Sequence, residues 1–309
     1  MTVAAPSSLP MVLTEVEVTA VSRLSPSFVR VTLAGAGLGD VGVDGSWWDQ
    51  RFKLIVPASS GALTSVADAD ETWLSTWLER PVEERGHMRT YTIRSLVGAG
   101  DDTRLVVDIV VHPGAVGPGS DWAASCSVGS RAVALLPRRG LPFGGIEFAP
   151  PAASPLLLVG DESAVPAICA IVEQLPASAV GRAFLEVPTA EDVLPVTGES
   201  GVEVTWLVRQ SGEVGSVLHP EVLAYLGAGP LALERPVEID PDLWETPVWS
   251  SSGETFSPSP APDGSLYAWI AGESGMVTAL RRHLVRELGF DRSQVAFMGY
   301  WRRGVAMRS

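Results

Sequence analysis

The sequence predicts two domains of different class, an N-terminal antiparallel six-stranded β-barrel over residues 1–150 and a C-terminal parallel-sheet α/β domain over 151–309. Three observations predict it. Six short alternating apolar runs, separated by Gly and Pro, fill the first half; the segment Ala149-Pro150-Pro151-Ala152-Ala153-Ser154-Pro155 interrupts regular structure; beyond it, apolar strands alternate with helical patterns. With 309 residues and 46% hydrophobic content, the chain is long enough for two cores.

The barrel runs are Leu13 to Val18, Phe28 to Leu33, Phe52 to Val56, Met88 to Ile93, Leu105 to Val111 and Arg131 to Leu136. Strands of the second domain are expected at Leu156 to Val159, Arg182 to Val187, Glu203 to Val208, Leu266 to Ala271 and Val295 to Met298, joined by crossover helices. The helix after the first of these starts at Asp161-Glu162-Ser163-Ala164-Val165-Pro166, where capping side chains precede a proline that fits only the first turn. Val165, Ile168, Val172 and Leu175 then share one face. A later helix is capped by Gly272-Glu273-Ser274 and turns Val277, Leu280, Leu284 and Leu288 inward, with Arg281, Arg282 and Arg286 outward and Gly289 at its end. The Ser- and Pro-rich stretch from Ser250 to Gly264 reads as an insertion without chemistry.

A net charge of −14 argues against a nucleic-acid or anionic-membrane partner. No apolar run reaches bilayer length, and Met1 to Pro10 has neither a basic residue nor a hydrophobic signal core, so the expected location is cytoplasmic without stable membrane association. Cys126 and Cys169 fall in different elements and read as buried thiols. The histidines at 87, 112, 219 and 283 have no metal-ligand spacing, and no structural metal is expected.

Two segments about twenty residues apart carry the chemistry. Arg89-Thr90-Tyr91-Thr92 is a strand with an aromatic plane, hydroxyls and a guanidinium, and His112 to Trp122 is a glycine-rich turn leading into a helix. Tyr91 offers a flat face to an isoalloxazine ring, Thr92 a hydroxyl to the ribityl chain or ring, and Arg89 a fork of donors to a diphosphate. Gly117 and Gly119 let backbone approach a ligand. Ser120 or Asp121 can cap a helix beginning Asp121-Trp122, whose free N–H groups favour an anion. Each segment alone is an ordinary strand or turn; together they point to a flavin nucleotide. The helix at Asp161 starts at the carboxyl end of a strand, where open α/β sheets bind nucleotides, although no G-x-G-x-x-G is present.

The chain resembles the siderophore-interacting proteins, flavin-dependent ferric-siderophore reductases among the ferredoxin-reductase-like flavoproteins. The matching residues are Phe52-Lys53-Leu54, Arg89-Thr90-Tyr91-Thr92, the block Asp108…His112…Gly117-Pro118…Ser120…Trp122-Ala123, Gly160-Asp161-Glu162-Ser163-Ala164-Val165-Pro166-Ala167-Ile168, Ala268-Trp269…Ala271-Gly272-Glu273 and Gly299-Tyr300-Trp301-Arg302-Arg303-Gly304. The resemblance implies an N-terminal FAD barrel, a C-terminal NADPH- or NADH-binding domain and reduction of chelated Fe(III) to Fe(II), with a ferric siderophore as the small-molecule substrate. It implies FAD contacts from Arg89, Thr90, Tyr91, Thr92, Asp108, Val110, His112, Gly117, Pro118, Gly119, Ser120, Trp122 and Ala123. On the nicotinamide side it implies Asp161, Glu162, Ser163, Ala164, Gly272, Glu273, Tyr300 and Trp301. The chain departs from the family pattern at Gly119, usually Ala, at Gly129-Ser130, usually Gly-Asp, and at Pro137-Arg138-Arg139-Gly140, where a Gly-Pro pair is usual.

Many ferric siderophores are anionic, so an acidic chain needs a local basic cluster. Lys53 is the first candidate: it is the single lysine beside 21 arginines and stands where the family motif has one. Arg138, Arg139, Arg302 and Arg303 are further candidates. Two other functions share these features: a general NAD(P)H:flavin, quinone or ferric-chelate reductase, and a non-enzymatic FAD-carrying siderophore-binding protein. An enzyme reduced by a ferredoxin also remains open.

Overall fold

The computed structural model describes residues 9–67, 69–111, 117–229, 244–246, 249–250 and 264–304. The chain forms two compact units, one reaching Ile146 and the other starting at Glu147, the second also holding Ser25–Ser27. No helix among the described residues is long and apolar enough to cross a membrane.

In the first unit, β1 (Met11–Arg23), β2 (Phe28–Ala34), β3 (Arg51–Val56), β4 (His87–Thr92), β5 (Ser95–Val97), β6 (Arg104–Val110) and β7 (Arg131–Pro137) make one antiparallel sheet in the order β4-β3-β7-β1-β2-β6-β5. Period-two alternation builds its core: Val12 and Val16, Val29, Val31 and Leu33, Phe52 and Leu54, and Leu105, Val107 and Ile109 all point to one side. Between β3 and β4, α1 (Trp73–Glu79) and α2 (Val82–Arg85) cover part of the other face, where Trp77 packs with Ile55, Val133 and Leu135.

The expected six-stranded barrel is seen as one antiparallel sheet of seven strands, because the fourth of the six runs continues beyond β4 as β5. After β4 the Ile93 amide donates to the Gln50 carbonyl at 2.8 Å, while the next amide, Arg94, donates to Val106 at 3.0 Å. The extended chain thus changes partners within two residues and continues as β5, paired with β6. The sheet's two outer strands are successive pieces of one run, and among the described residues no strand ladder joins β4 to β6. α3 (Pro118–Ser125) links β6 to β7 and packs near β2, β3, β4 and β6.

The second unit follows the expected α/β plan. β8 (Leu156–Gly160), β9 (Val180–Val187) and β10 (Gly201–Val208) are followed by two short strands, β11 (Trp244–Thr246) and β12 (Trp249–Ser250), then by β13 (Tyr267–Glu273) and β14 (Val295–Trp301). The order is β10-β9-β8-β13-β14-β11-β12. The five long strands pair in parallel, and β11 and β12 add an antiparallel edge that the sequence does not announce. Apart from its end residues, the Ser250 to Gly264 stretch lies outside the described residues.

α4 (Val165–Gln174) carries Pro166 in its first turn, as its position requires. All its residues from Val165 to Val172 are buried, so it is enclosed on every side and does not present the single apolar face expected of it. α5 (Leu218–Tyr225) follows β10, and α6 (Ser274–Arg282) starts with the Glu273 carboxylate accepting the Gly275 and Met276 amides at 2.6 and 3.0 Å. Val277, Leu280 and Leu284 turn inward as expected, but Leu288 is 36% exposed. The cause is a π turn over His283–Glu287, which holds an extra residue and rotates the later positions away from the apolar stripe.

Candidate functional site

In the first unit, the strand and the glycine turn singled out in the sequence come together. Tyr91 pairs with Phe52 across β3 and β4, and Thr90 with Lys53. Opposite residues share a face, so Arg89 and Tyr91 point to one side of β4 while Thr90 and Thr92 point to the other. On the first side, a Cβ at Gly119 would stand 2.2 Å from the Tyr91 hydroxyl and 3.2 Å from Arg89 Cγ. Only glycine permits so close an approach of the helix backbone. The Tyr91 ring packs on the core beside Phe52, and burial pushes its hydroxyl pKa up to about 12.

The helix cap differs from expectation. α3 begins at Pro118, whose missing N–H costs nothing at the first helical position, and its N-cap is Gly117, which has no side chain to cap the next amides. The first helical amide bond runs from Asp121 to Gly117 at 2.8 Å. Among the described residues, no acceptor meets the Gly119 and Ser120 amides, and no carboxylate meets Arg89, whose guanidinium bonds only the Met88 carbonyl at 2.7 Å. Burial lowers the Arg89 pKa, the mark of a cation short of counter-charge. Two open amides and one unneutralised guanidinium beside an aromatic hydroxyl fit the diphosphate end of a flavin dinucleotide.

Other expected flavin residues lie apart from this cradle. Asp108 is 4% exposed and held by Arg30 through two bonds of 2.7 Å, with Arg94 Nε at 3.4 Å, so its oxygens serve the β2–β6 pair. Ala123 is buried in the core, Trp122 packs against it, and Val110 ends β6 half-buried. His112 lies outside the described residues.

On the opposite face of β3 and β4 an open pocket of about 290 Å³ is lined by Arg51, Phe52, Lys53, Thr90 and the turn Phe143-Gly144-Gly145. Lys53 is exposed and donates to Thr90 Oγ1 at 2.7 Å, and partial burial and the neighbouring Arg51 lower its pKa. Of the five expected basic residues, Lys53 lines this pocket and the others lie elsewhere. Arg138 is tied to the Leu9 and Met11 carbonyls and to Asp40, and Arg139 bonds the Val41 carbonyl; neither lines the pocket. Arg303 pairs with Glu213 in the second unit, and Arg302 is half-buried there. Arg51 is the missed cation, and alternation could have found it, two residues before Lys53 on the same strand face.

In the second unit the carboxyl end of β8 carries Asp161 and Glu162, both 0% exposed. Asp161 Oδ1 accepts from the Ser163 amide and hydroxyl at 2.8 and 2.5 Å, and Oδ2 from the Glu273 amide and Trp301 Nε1 at 2.7 and 2.9 Å. Burial and the Glu162 charge push its pKa up to about 7 against the pull of these donors. Gly272, at φ 145°, brings β13 so close that a Cβ would lie 2.8 Å from the Asp161 carboxylate. Glu162 is bonded twice by Arg209. The α4 cap itself is Ala164, buried and without a capping side chain. Of Asp161, Glu162 and Ser163, therefore, only Ser163 reaches the surface; the two carboxylates hold the fold together. Tyr300 stands edge-on to Trp269 at 6.3 Å, and the Arg303 amide donates to Glu273 at 3.3 Å.

An antiparallel sheet with an anion cradle at a helix start, followed by a parallel α/β sheet, defines a two-domain flavoprotein of the ferredoxin-reductase class. Comparison with known proteins narrows this. The model for the siderophore-interacting FAD-binding domain matches residues 17–140 and that for the siderophore-interacting protein matches 153–304. The chain belongs to the siderophore-interacting protein family. It is 33% identical over 293 residues to an uncharacterised protein of Mycobacterium tuberculosis, covering 93% of this chain and 89% of that one. It is 29% identical over 286 residues to the ferric vibriobactin reductase ViuB of Vibrio cholerae, covering 91% and 86%. Among solved structures, a siderophore utilization protein from T. fusca matches with a TM-score of 0.67 at 27% identity, over 96% of this chain and 95% of that one.

Proposed function

We propose that this protein is an NAD(P)H-dependent ferric-siderophore reductase that carries FAD and releases iron from its chelate as Fe(II). The observation that carries this reading is the meeting of Arg89, Tyr91 and the Gly119–Ser120 amides in one cradle of a siderophore-interacting FAD-binding domain. Bound FAD supplies the coupling of a two-electron donor to a one-electron acceptor. Arg89 and the α3 start would hold its diphosphate, and Tyr91 would set the position of its ring system. Ser163, at the carboxyl end of the central strand β8, lies where an open α/β sheet takes a nucleotide. Asp161 fixes Glu273 and Trp301 around that point.

Arg51 and Lys53 supply the positive charge that an anionic ferric chelate requires on an otherwise acidic chain. Thr90 and Tyr91 are consecutive, so their Cα atoms are about 3.8 Å apart. The pocket and the aromatic side chain are therefore separated by the thickness of one strand. The resemblance to ViuB, named a ferric vibriobactin reductase, supports a chelated-iron acceptor.

The test is anaerobic. Purified protein should contain FAD, lose its yellow absorbance on addition of NADH or NADPH, and regain it when a ferric siderophore is added, with Fe(II) trapped by a ferrous chelator. Flavin that never bleaches would make the protein a binder. Reoxidation at equal rates by every quinone and ferric chelate would make it a general reductase.

A further inference from the structure

We propose that the electron donor is NADH and that NADPH is discriminated against, because the site for an adenosine 2′-phosphate is already filled by the protein's own charges. The inference rests on the nicotinamide reading above. The strand order reverses between β8 and β13, so the dinucleotide crevice lies over their carboxyl ends, and the adenosine half extends over the neighbouring β9 and β10 ends. A 2′-phosphate there needs a free cation or a free helix N-terminus.

Neither is available among the described residues there. Beyond the ends of β9 and β10, residues 188–200 hold no basic residue and residues 209–217 hold one, Arg209. The Arg209 side chain is 9% exposed, is bonded twice by Glu162, and stands 3.6 Å from Glu186. Its charge is matched by two buried carboxylates. The start of α5 is also taken: Glu186, 0% exposed at the end of β9, accepts the amides of Gly215, Val217 and Leu218 at 2.8, 3.3 and 3.0 Å. The anion seat that a phosphate would use holds a carboxylate. The nearby loops add Glu191, Asp192 and Glu213, and Arg303, which reaches this region, is paired with Glu213.

Neutral groups remain at the surface. Gln210 and Ser211 are exposed just beyond β10, and Gln210 is held at φ 53°, a conformation that a glutamine rarely adopts. An amide and a hydroxyl suit the 2′- and 3′-hydroxyls of an unphosphorylated ribose. A dianionic phosphate in the same place would face five carboxylates, Glu162, Glu186, Glu191, Asp192 and Glu213, against two arginines, Arg209 and Arg303.

The experiment uses the FAD-loaded protein. Flavin reduction under anaerobic conditions should have kcat/KM for NADH above that for NADPH by about tenfold or more, the ratio narrowing as salt is raised. Calorimetric titration with 5′-AMP and with adenosine 2′,5′-bisphosphate gives a readout independent of the flavin, and the bisphosphate should bind more weakly. Gln210→Arg places a free cation at the ribose and should move both ratios toward the phosphorylated ligand. Equal or better use of NADPH overturns the inference, as does a ratio unmoved by Gln210→Arg. If dithionite bleaches the flavin and neither nucleotide does, the nicotinamide reading itself fails and takes the inference with it.

Discussion

Gly119→Ala tests the cradle through a contact that only the fold creates. The added methyl would stand 2.2 Å from the Tyr91 hydroxyl, whereas ordinary contact begins at 3.4 Å, so one of the two must retreat by about 1 Å. Overpacking of this kind costs about 1–3 kcal/mol, while alanine in place of glycine near a helix start returns up to about 1 kcal/mol. The expected net loss is about 0–3 kcal/mol, or up to about 12 °C in melting temperature for a domain of this size. Tyr91→Phe removes the clashing oxygen and leaves Arg89 Cγ at 3.2 Å and the ring carbon at 3.4 Å as the nearest neighbours. In that background the same Gly119→Ala change should be neutral or stabilising. The double-mutant cycle should therefore show a coupling of about 1–3 kcal/mol. Urea unfolding of the four proteins measures it, and FAD retention on gel filtration should follow the same pattern, lowest in Gly119→Ala alone. A cost that is the same in both backgrounds, within about 0.5 kcal/mol, would refute the contact and with it the joint site.

Arg89→Ala should weaken FAD binding by about 1.5–3 kcal/mol, a factor of roughly 10 to 100 in Kd, since it removes a charge-assisted pair of bonds; a fluorescence titration of FAD into apoprotein reads this directly. Lys53→Ala and Arg51→Ala should each slow reoxidation by anionic ferric chelates several-fold at low salt, with the wild-type advantage shrinking as the Debye length falls from about 10 Å at 0.1 M to 3 Å at 1 M. Lys53→Arg should recover part of the rate, and unchanged rates in all three would remove the pocket from the acceptor site. Asp161 has a folded pKa raised from 3.8 to about 7, so the folded state binds the extra proton between these values and its stability falls as pH rises through that window. Relative to Asp161→Asn, the wild type should therefore gain about 2–3 kcal/mol between pH 8 and pH 5, read from denaturant midpoints.

Period and composition encode local structure, and that much was legible in the sequence. The six barrel runs and the five parallel strands come from alternation and apolar runs, and each overlaps an observed strand, with ends one or two residues away in most cases. The seventh strand of the first sheet was hidden because Ser95–Val97 continues β4 almost without a break, and only the change of hydrogen-bond partner at Ile93 and Arg94 separates them. Leu288 was misplaced for a similar reason: a helix period of 3.6 assumes an unbroken helix, and one π turn rotates every later residue. On β4, alternation was enough to divide Arg89 and Tyr91 from Thr90 and Thr92. Grouping the four as one ligand-facing set overlooked a rule that the strand itself supplies.

The acidic residues after β8 show where local information ends. A carboxylate at the carboxyl end of a central parallel strand reads as a ligand for a nucleotide because of its position. Whether its oxygens are free depends on groups far along the chain: Asp161 receives donors from Ser163, two residues away, but also from Glu273 and Trp301, 112 and 140 residues away. Glu162 is likewise closed by Arg209, 47 residues on. Each partner belongs to a different strand end, and parallel strands bring those ends together only once the sheet has formed. The motif at 160–168 therefore does a job that its sequence does not announce, since Asp161 and Glu162 bind the sheet's carboxyl edge together and only Ser163 of the three reaches the surface.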